Sequence, residues 1–388
     1  MEGTAPMPSD QPEQTTIRRL SQVTTLIRGL LATASGNDDD PYQRVLVKCL
    51  PGVASLNHGA VTQRPPLLMK TLDAGIALDA LRDRLQETLN KYVVQHGGPP
   101  EAIILEGMGT LHIKYPAAEY HPLRNKVALV TGAAGAIGAG ICKGLLNGGC
   151  HVAVTDRVQE TLDELVNELS ASTPDRVIGV RMDVTDKHDV ADGFAAVGRT
   201  WGGVDIVIVN AGIALVASLM DMDLEAFRKL EQVNVEGTLL TLAEAGRWMS
   251  LQGIGGDMVL VSTKNVFAPG AQFGAYSATK AASHQLARIA ALELAPFGIR
   301  VNMVAPDAVF SDGKRKSGLW AEVGPSRMQA RGLDEKGLEE YYRNRNLLKT
   351  RITPAHVANA VLFFVTRQTP TTGVTLPVDG GLPDATPR

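Results

Sequence analysis

The chain has 388 residues, 44% of them apolar and 20% charged, with a net charge of −3. This is ordinary globular composition, long enough for one large folding unit and a smaller one. The nearly balanced, slightly acidic total argues against a nucleic-acid or anionic-membrane partner, and no apolar run approaches the roughly 18 residues that cross a bilayer.

Residues 1–16, opening MEGTAPMPSDQPEQ, are polar and Pro-rich and predict a disordered tail. They lack the basic-then-apolar order of a secretory signal. Residues 17–120 predict a small α/β connecting region. RVLVKCL and AIILEG read as strands. DAGIALDALRDRLQETLNKYVVQH reads as an amphipathic helix, because Ile76, Leu78, Leu81, Leu85 and Leu89 keep roughly helical spacing. GGPP at 97–100 stops it, and KYPAAEYHPLRN, 114–125, reads as a linker. Cys49, Cys142 and Cys150 have neither metal-ligand nor redox spacing. They read as reduced and buried, which fits a cytoplasmic compartment.

From Lys126 the pattern changes. KVALVT, HVAVTD, RVIGVRMD, VDIVIVN, DMVLVS and IRVNMVAP are short, β-branched and apolar almost throughout, as in strands buried on both faces. Helical stretches lie between them, so the region 121–388 predicts an α/β fold, a doubly wound parallel sheet with right-handed crossovers. GVTLPVDGG adds a late strand and turn.

TGAAGAIG, residues 131–138, lies between the first of these strands and a helix. Gly132 and Gly138 would let the backbone turn tightly, and the helix N-terminus would offer free N–H groups to a pyrophosphate. A ligand-free strand–helix turn has the same look. Asp156 closes the second strand. A carboxylate there accepts hydrogen bonds from ribose hydroxyls and repels a 2′-phosphate, which favours NAD over NADP. Arg157 beside it is a residue type that holds a 2′-phosphate. Further on, Tyr276 and Lys280 stand four apart and share a face if helical. An unperturbed Tyr has a pKa near 10, too high for a base at neutral pH. A nearby ammonium would lower it, making Tyr276 a general base for alcohol oxidation and a general acid for carbonyl reduction.

These motifs together resemble the short-chain dehydrogenase/reductase family over about residues 124 to 382. The series is TGAAGAIG, MDVTD (182–186), NAG (210–212), VNVEG (233–237), Tyr276-x-x-x-Lys280, IRVNMVAPDAV (299–309) and VDGG (378–381). The resemblance implies a Rossmann-type fold and an NAD(P) cofactor. Gly132, Ala134, Gly135, Ala136, Ile137 and Gly138 would form the phosphate turn, Ala136 standing where the family has a glycine. Asp183 and Val184 would flank the adenine, and Asn210, Ala211 and Gly212 would line the cofactor floor. Pro306 and Val309 would sit beside the nicotinamide, and Lys280 would also bind the nicotinamide ribose. The family's Pro-Gly is Pro306-Asp307 here; Asp307 would either bind a substrate hydroxyl or serve as a turn residue. The resemblance places a hydroxyl thirteen residues before the Tyr, which is Thr263. Its neighbour Ser262 would point to the opposite face of a strand and would take over only if the strand end is twisted. Asn234 would support a water-linked proton relay behind Lys280, unless it is a helix-surface residue.

Residues 311–351 fall where such proteins carry a substrate lid. They hold ten Lys or Arg (Lys314, Arg315, Lys316, Arg327, Arg331, Lys336, Arg343, Arg345, Lys349, Arg351) against six acids. That excess would steer an anionic substrate or simply form solvated faces and subunit contacts. Trp320 and Met328 would pack against a ligand or close the lid. The 17–120 segment and the lid look like the C-terminal part of bifunctional aldolase/short-chain dehydrogenase proteins of the rhamnulose-phosphate aldolase/lactaldehyde dehydrogenase type. A His-x-His pair for an aldolase metal is missing, and His58, His96, His112 and His121 are scattered, so no metal is expected. The sequence predicts an NAD-dependent oxidoreductase for a secondary alcohol or ketone on a sugar, polyol or their phosphates. Alternatives are oxidation of a 2-hydroxyaldehyde such as lactaldehyde, or a nucleotide-sensing scaffold without turnover. The resemblance also implies a homodimer or homotetramer.

Overall fold

A computed structural model describes residues 11–51, 62–70, 75–116, 121–311, 313–315 and 317–383. Of the predicted disordered tail, residues 1–10 lie outside the described residues, as do His58 and Lys316. Residues 11–16 are helical instead. They begin helix α1 (Gln11–Leu30), whose Pro12 falls in the first turn, where no N–H partner is needed. The helix is fixed from the far side by Leu20, Val23, Leu26 and Ile27, all buried.

After α1 come the short pair β1 (Thr33–Ala34) and β2 (Tyr42–Gln43), then β3 (Leu46–Pro51), β4 (Leu67–Met69), α2 (Leu78–His96), β5 (Ala102–Leu105) and β6 (Gly109–Lys114). Strands β3, β6, β5 and β4 lie in that order in one sheet. Helix α2 starts a turn later than the apolar spacing predicts and buries Leu81, Leu85, Leu89 and Tyr92. Leu81, Leu85 and Leu89, the buried face of α1 and the sheet share one apolar core.

A second sheet has seven strands in the order β13-β12-β11-β10-β7-β8-β9. They are β7 (Val127–Val130), β8 (His151–Asp156), β9 (Val177–Arg181), β10 (Ile206–Val209), β11 (Gly256–Val261), β12 (Ile299–Pro306) and β13 (Thr375–Val378). Every neighbouring pair is parallel. The strand order reverses beside β7, which places a crevice at the carboxyl ends of β7 and β10. The crossovers are α3 (Ala136–Asn147), α4 (Gln159–Ser170), α5 (Lys187–Trp201), α6 (Leu224–Glu231), α7 (Gly237–Gln252) and α8 (Gly274–Leu294). After β12 come α9 (Gly318–Arg331), α10 (Glu335–Arg345) and α11 (Pro354–Val365).

Helix α1 packs on α5 and α7 of this second layer. The approach is close: a Cβ added to Gly29 would lie 1.9 Å from the Gln252 carbonyl oxygen. Next to it, Asp205 receives Arg28 at 2.7 Å, Arg44 at 2.9 Å, the Gln252 amide at 3.1 Å and the Val127 N–H at 2.8 Å. Burial alone would raise the Asp205 pKa, but the two guanidinium groups and these hydrogen bonds hold it well below the usual carboxylate range.

Candidate active site

Strand β7 delivers the chain into the glycine turn. Gly132 has φ +59°, and a Cβ there would come within 2.8 Å of Ala211 Cα. The turn is braced from the next loop. The Asn210 amide donates to the carbonyls of Thr131 and Gly132, each at 2.9 Å. The Thr131 hydroxyl accepts from the N–H groups of Asn210 and Ala211 at 2.9 and 3.0 Å. Gly135 caps α3 without a side-chain acceptor, so the first amides of α3 are open to an anion. Asp156 ends β8 and accepts from the Ala134 N–H at 3.2 Å, with Arg157 exposed beside it. Burial raises the Asp183 pKa, but hydrogen bonds from Thr185 and the charge of Arg157 lower it overall. Open amides, a glycine-walled approach and a strand-end carboxylate fit a dinucleotide.

The reacting end lies at the carboxyl edge of β11. Thr263 is extended, caps a short 3-10 turn and accepts from the Asn265 N–H at 3.3 Å. Ser262 also borders the cavity, but its hydroxyl is engaged elsewhere: it lies 3.0 Å from His284 Nδ1, and His284 Nε2 lies 3.2 Å from the Thr375 hydroxyl. Thr263 lines the cavity with Tyr276 and Lys280. Both of the latter project from α8 and are buried, at 6% and 5% exposure. Burial pushes the Tyr276 hydroxyl up to about 12, opposed by its hydrogen bonding with Thr263. Burial pulls Lys280 down to about 8, and its ammonium donates to the Val261 carbonyl at 3.1 Å. The expectation that Lys280 lowers the Tyr276 pKa therefore does not describe this state. Removal from water sets the direction here, and Thr263 is the opposing group.

Asn234 is not a surface residue. It is fully buried in a π turn, Gln232–Glu236, between α6 and α7, a distortion often found at functional sites. Its amide oxygen accepts from the Ile213 N–H at 2.9 Å, and its NH₂ donates to the Ile213 carbonyl at 3.0 Å and the Thr279 hydroxyl at 3.1 Å. A Cβ on Gly212 would touch both Lys280 Nζ (3.1 Å) and Asn234 Oδ1 (3.2 Å), so the two side chains converge there.

Asp307 borders the cavity and has a partner that was not anticipated. It forms a two-pronged ion pair with Arg345 of α10, one arm measuring 3.2 Å. Arg345 also stacks on Tyr342 at 4.2 Å. Tyr342 meets Trp320 at 4.8 Å, and Trp320 stacks on Phe310 at 4.3 Å, so Trp320 joins an aromatic cluster over the site. The basic residues of 311–351 divide. Arg315 pairs with Glu168 (2.6 Å), Arg351 with Glu339 (3.1 Å) and Arg343 with Glu340. Arg327, Arg331 and Arg345 face inward.

One cavity of about 1030 Å³ runs from the glycine turn to these arginines. Of the residues anticipated for the cofactor and the reaction, it touches all but Ala134 and Asn234, and Met328 of the lid is not part of its lining. Thr131, Thr279 and His284 were not anticipated. His284 lies four residues past Lys280 on α8, so helical spacing is the signal that could have found it.

A parallel sheet that reverses at a glycine-lined crevice, with a buried Tyr–Lys pair on its carboxyl edge, defines a dinucleotide-binding α/β fold of the kind that NAD(P)-dependent oxidoreductases use. The model of the short chain dehydrogenase family matches residues 126–322. The uncharacterized oxidoreductase YuxG of Bacillus subtilis is 38% identical over 275 residues, 70% of this chain and 39% of that protein. Thus the chain spans well under half of YuxG's length. L-xylulose reductase of Mesocricetus auratus is 32% identical over 67% of this chain and 97% of its own length. A short-chain type dehydrogenase/reductase from Mycobacterium marinum superposes with a TM-score of 0.60 at 28% identity, over 69% of this chain and 97% of that one. The chain belongs to the short-chain dehydrogenase family.

Proposed function

We propose that this enzyme uses NAD to interconvert a secondary alcohol and a ketone on a sugar, a polyol or one of their phosphates. The observation that carries the reading is the meeting of Thr263 and Tyr276 at the wall of one cavity, with Lys280 buried in the same wall. Thr263 holds the substrate oxygen. Tyr276 takes the alcohol proton during oxidation and returns it during reduction. The nicotinamide, when bound, accepts or supplies the hydride. Asn234 and Lys280 converge at Gly212, and together they orient the ammonium and pass the proton toward solvent through water. Asp156 selects NAD by hydrogen bonding the adenosine ribose. Residues 311–351 act as the substrate lid, and Asp307 holds that lid through Arg345.

L-xylulose reductase, a relative along nearly its whole length, favours a sugar-like substrate. The three cysteines are free and buried, which supports a reducing, cytoplasmic setting. Exposed Leu239, Ile289 and Leu292 on α7 and α8 support association into a homodimer or homotetramer. The test is a panel of sugars, polyols, their phosphates and hydroxyaldehydes, each with NAD and NADP. Turnover of secondary alcohols with NAD is the expected result. A clear NADP preference would remove the role given to Asp156. Turnover of hydroxyaldehydes alone would replace the ketone reading with aldehyde oxidation.

A further inference from the structure

We infer that the substrate carries a carboxylate or a phosphate, and that Arg327 is the residue that holds it. The inference rests on the alcohol–ketone reading above and adds the substrate's charge.

Arg327 projects from α9 into the cavity and is only 7% exposed. Its guanidinium lies over Phe273, with Cζ 4.2 Å from the ring centroid. One NH₂ donates a long hydrogen bond, 3.4 Å, to the Ala271 carbonyl. The Nε–H is buried with no hydrogen-bond partner. Among the described residues no carboxylate pairs with it, whereas Arg315, Arg343, Arg345 and Arg351 of the same segment each have one. A guanidinium removed from water without a counter-charge is costly. Burial lowers its pKa, and the nearby charges of Arg331 and Arg345 push the same way. An oxyanion arriving in the cavity would reverse both effects.

The position relates that anion to the reacting carbon. Phe273, which carries the guanidinium, meets the Tyr276 ring edge-on at 6.2 Å. Phe273 thus packs against both side chains, and Arg327 and Tyr276 line the same cavity, where one small molecule would meet both. Arg331, one helical turn further and stacked on Tyr341 at 4.7 Å, lines the same cavity and adds charge there. The carboxylate at this end, Asp307, is already engaged by Arg345. The planar fork of an arginine suits a carboxylate or a phosphate equally.

The test uses matched substrates on three-, five- and six-carbon skeletons: the free polyol, the aldonate and the polyol phosphate. Glycerol, glycerate and glycerol 3-phosphate form the smallest set. Each is measured with NAD on the wild type, Arg327→Gln and Arg327→Lys. The expected result is an advantage of about 30-fold in kcat/KM for one anionic class, residing mainly in KM. Arg327→Gln should remove that advantage, lowering kcat/KM for the anionic class far more than for the neutral polyol, and Arg327→Lys should restore part. Which arm shows the advantage separates phosphate from carboxylate. Equal turnover of neutral and charged members by the wild type would overturn the inference while the alcohol–ketone reading stands, as would an equal loss on both in Arg327→Gln. Melting of the NAD-bound protein with aldonates and polyol phosphates gives a readout independent of turnover. A rise in the wild type that is absent in Arg327→Gln supports the anion site even where no alcohol reacts. No rise with any anion overturns it. If Arg327→Gln no longer binds NAD, the wild-type comparison and Arg327→Lys decide.

Discussion

Asp307 and Arg345 are joined through both carboxylate oxygens, one at the exit of β12 and the other at the end of α10. The Asp307 side chain is 5% exposed and that of Arg345 25%, so the pair is shielded but not sealed. Removing one partner leaves the other charge poorly solvated. Arg345→Ala should lower stability by about 1–3 kcal/mol and raise the substrate KM about tenfold, with NAD binding unchanged. Hydrogen exchange should accelerate through α9 and α10 in particular. The double variant Asp307→Asn/Arg345→Ala should lose less than the sum of the two singles, because the pair acts as a unit.

Tyr276→Phe removes one oxygen from a closely packed wall. Turnover should fall about a thousandfold, with NAD affinity and melting temperature near those of the wild type. Substantial residual activity would transfer the proton chemistry to another group.

The two adjacent hydroxyls, Ser262 and Thr263, separate in the structure and should separate in kinetics. Thr263→Ser keeps a donor and an acceptor at the same place and should retain most activity. Thr263→Ala should cost about a hundredfold in kcat/KM. Ser262→Ala breaks the contact with His284 and should change melting temperature more than rate. A larger catalytic loss in Ser262→Ala than in Thr263→Ala would reverse the assignment.

The Lys280 ammonium is held at a cost in stability. Its pKa falls from 10.5 to about 8 on burial. Below pH 8 the folded and unfolded chains both carry the proton, and the folded one carries it away from water. Between pH 8 and 10.5 the folded chain releases it first, so the unfolded chain holds more protons and this contribution to stability rises with pH. Lys280→Met should stabilise the unliganded protein at pH 7 by about 1–3 kcal/mol while abolishing turnover. Denaturant titrations from pH 7 to 10 should show the wild type gaining on the variant.

The second sheet was legible because its strands are buried on both faces, and such strands must be apolar at every position. VALV and IVIV leave little choice of environment. The cavity wall was legible mainly through the series of motifs and the family they resemble, with the glycine turn and the Tyr276–Lys280 helix face readable from the residues themselves. What escaped depends on partners far apart in the chain. Arg28 sits in a part of the connecting region for which no element was predicted, and its carboxylate is 177 residues away. Asp307 read as a turn residue or a substrate ligand because Arg345, 38 residues on, could have pointed anywhere. No local pattern shows that Arg327 lacks a carboxylate while its neighbours have one.

Asp205 gives the N-terminal region a meaning that the Pro-rich stretch at 114–125 conceals. That stretch looks like the place to cut, yet Arg28 and Arg44 fill the socket at the foot of β10 from the other side of the cut. A shortened enzyme starting at Lys126 would expose this carboxylate and the apolar faces of α5 and α7 together. Anyone trimming the chain to its catalytic half would be opening its foundation, and the smaller useful protein would need Asp205 and those helix faces redesigned first.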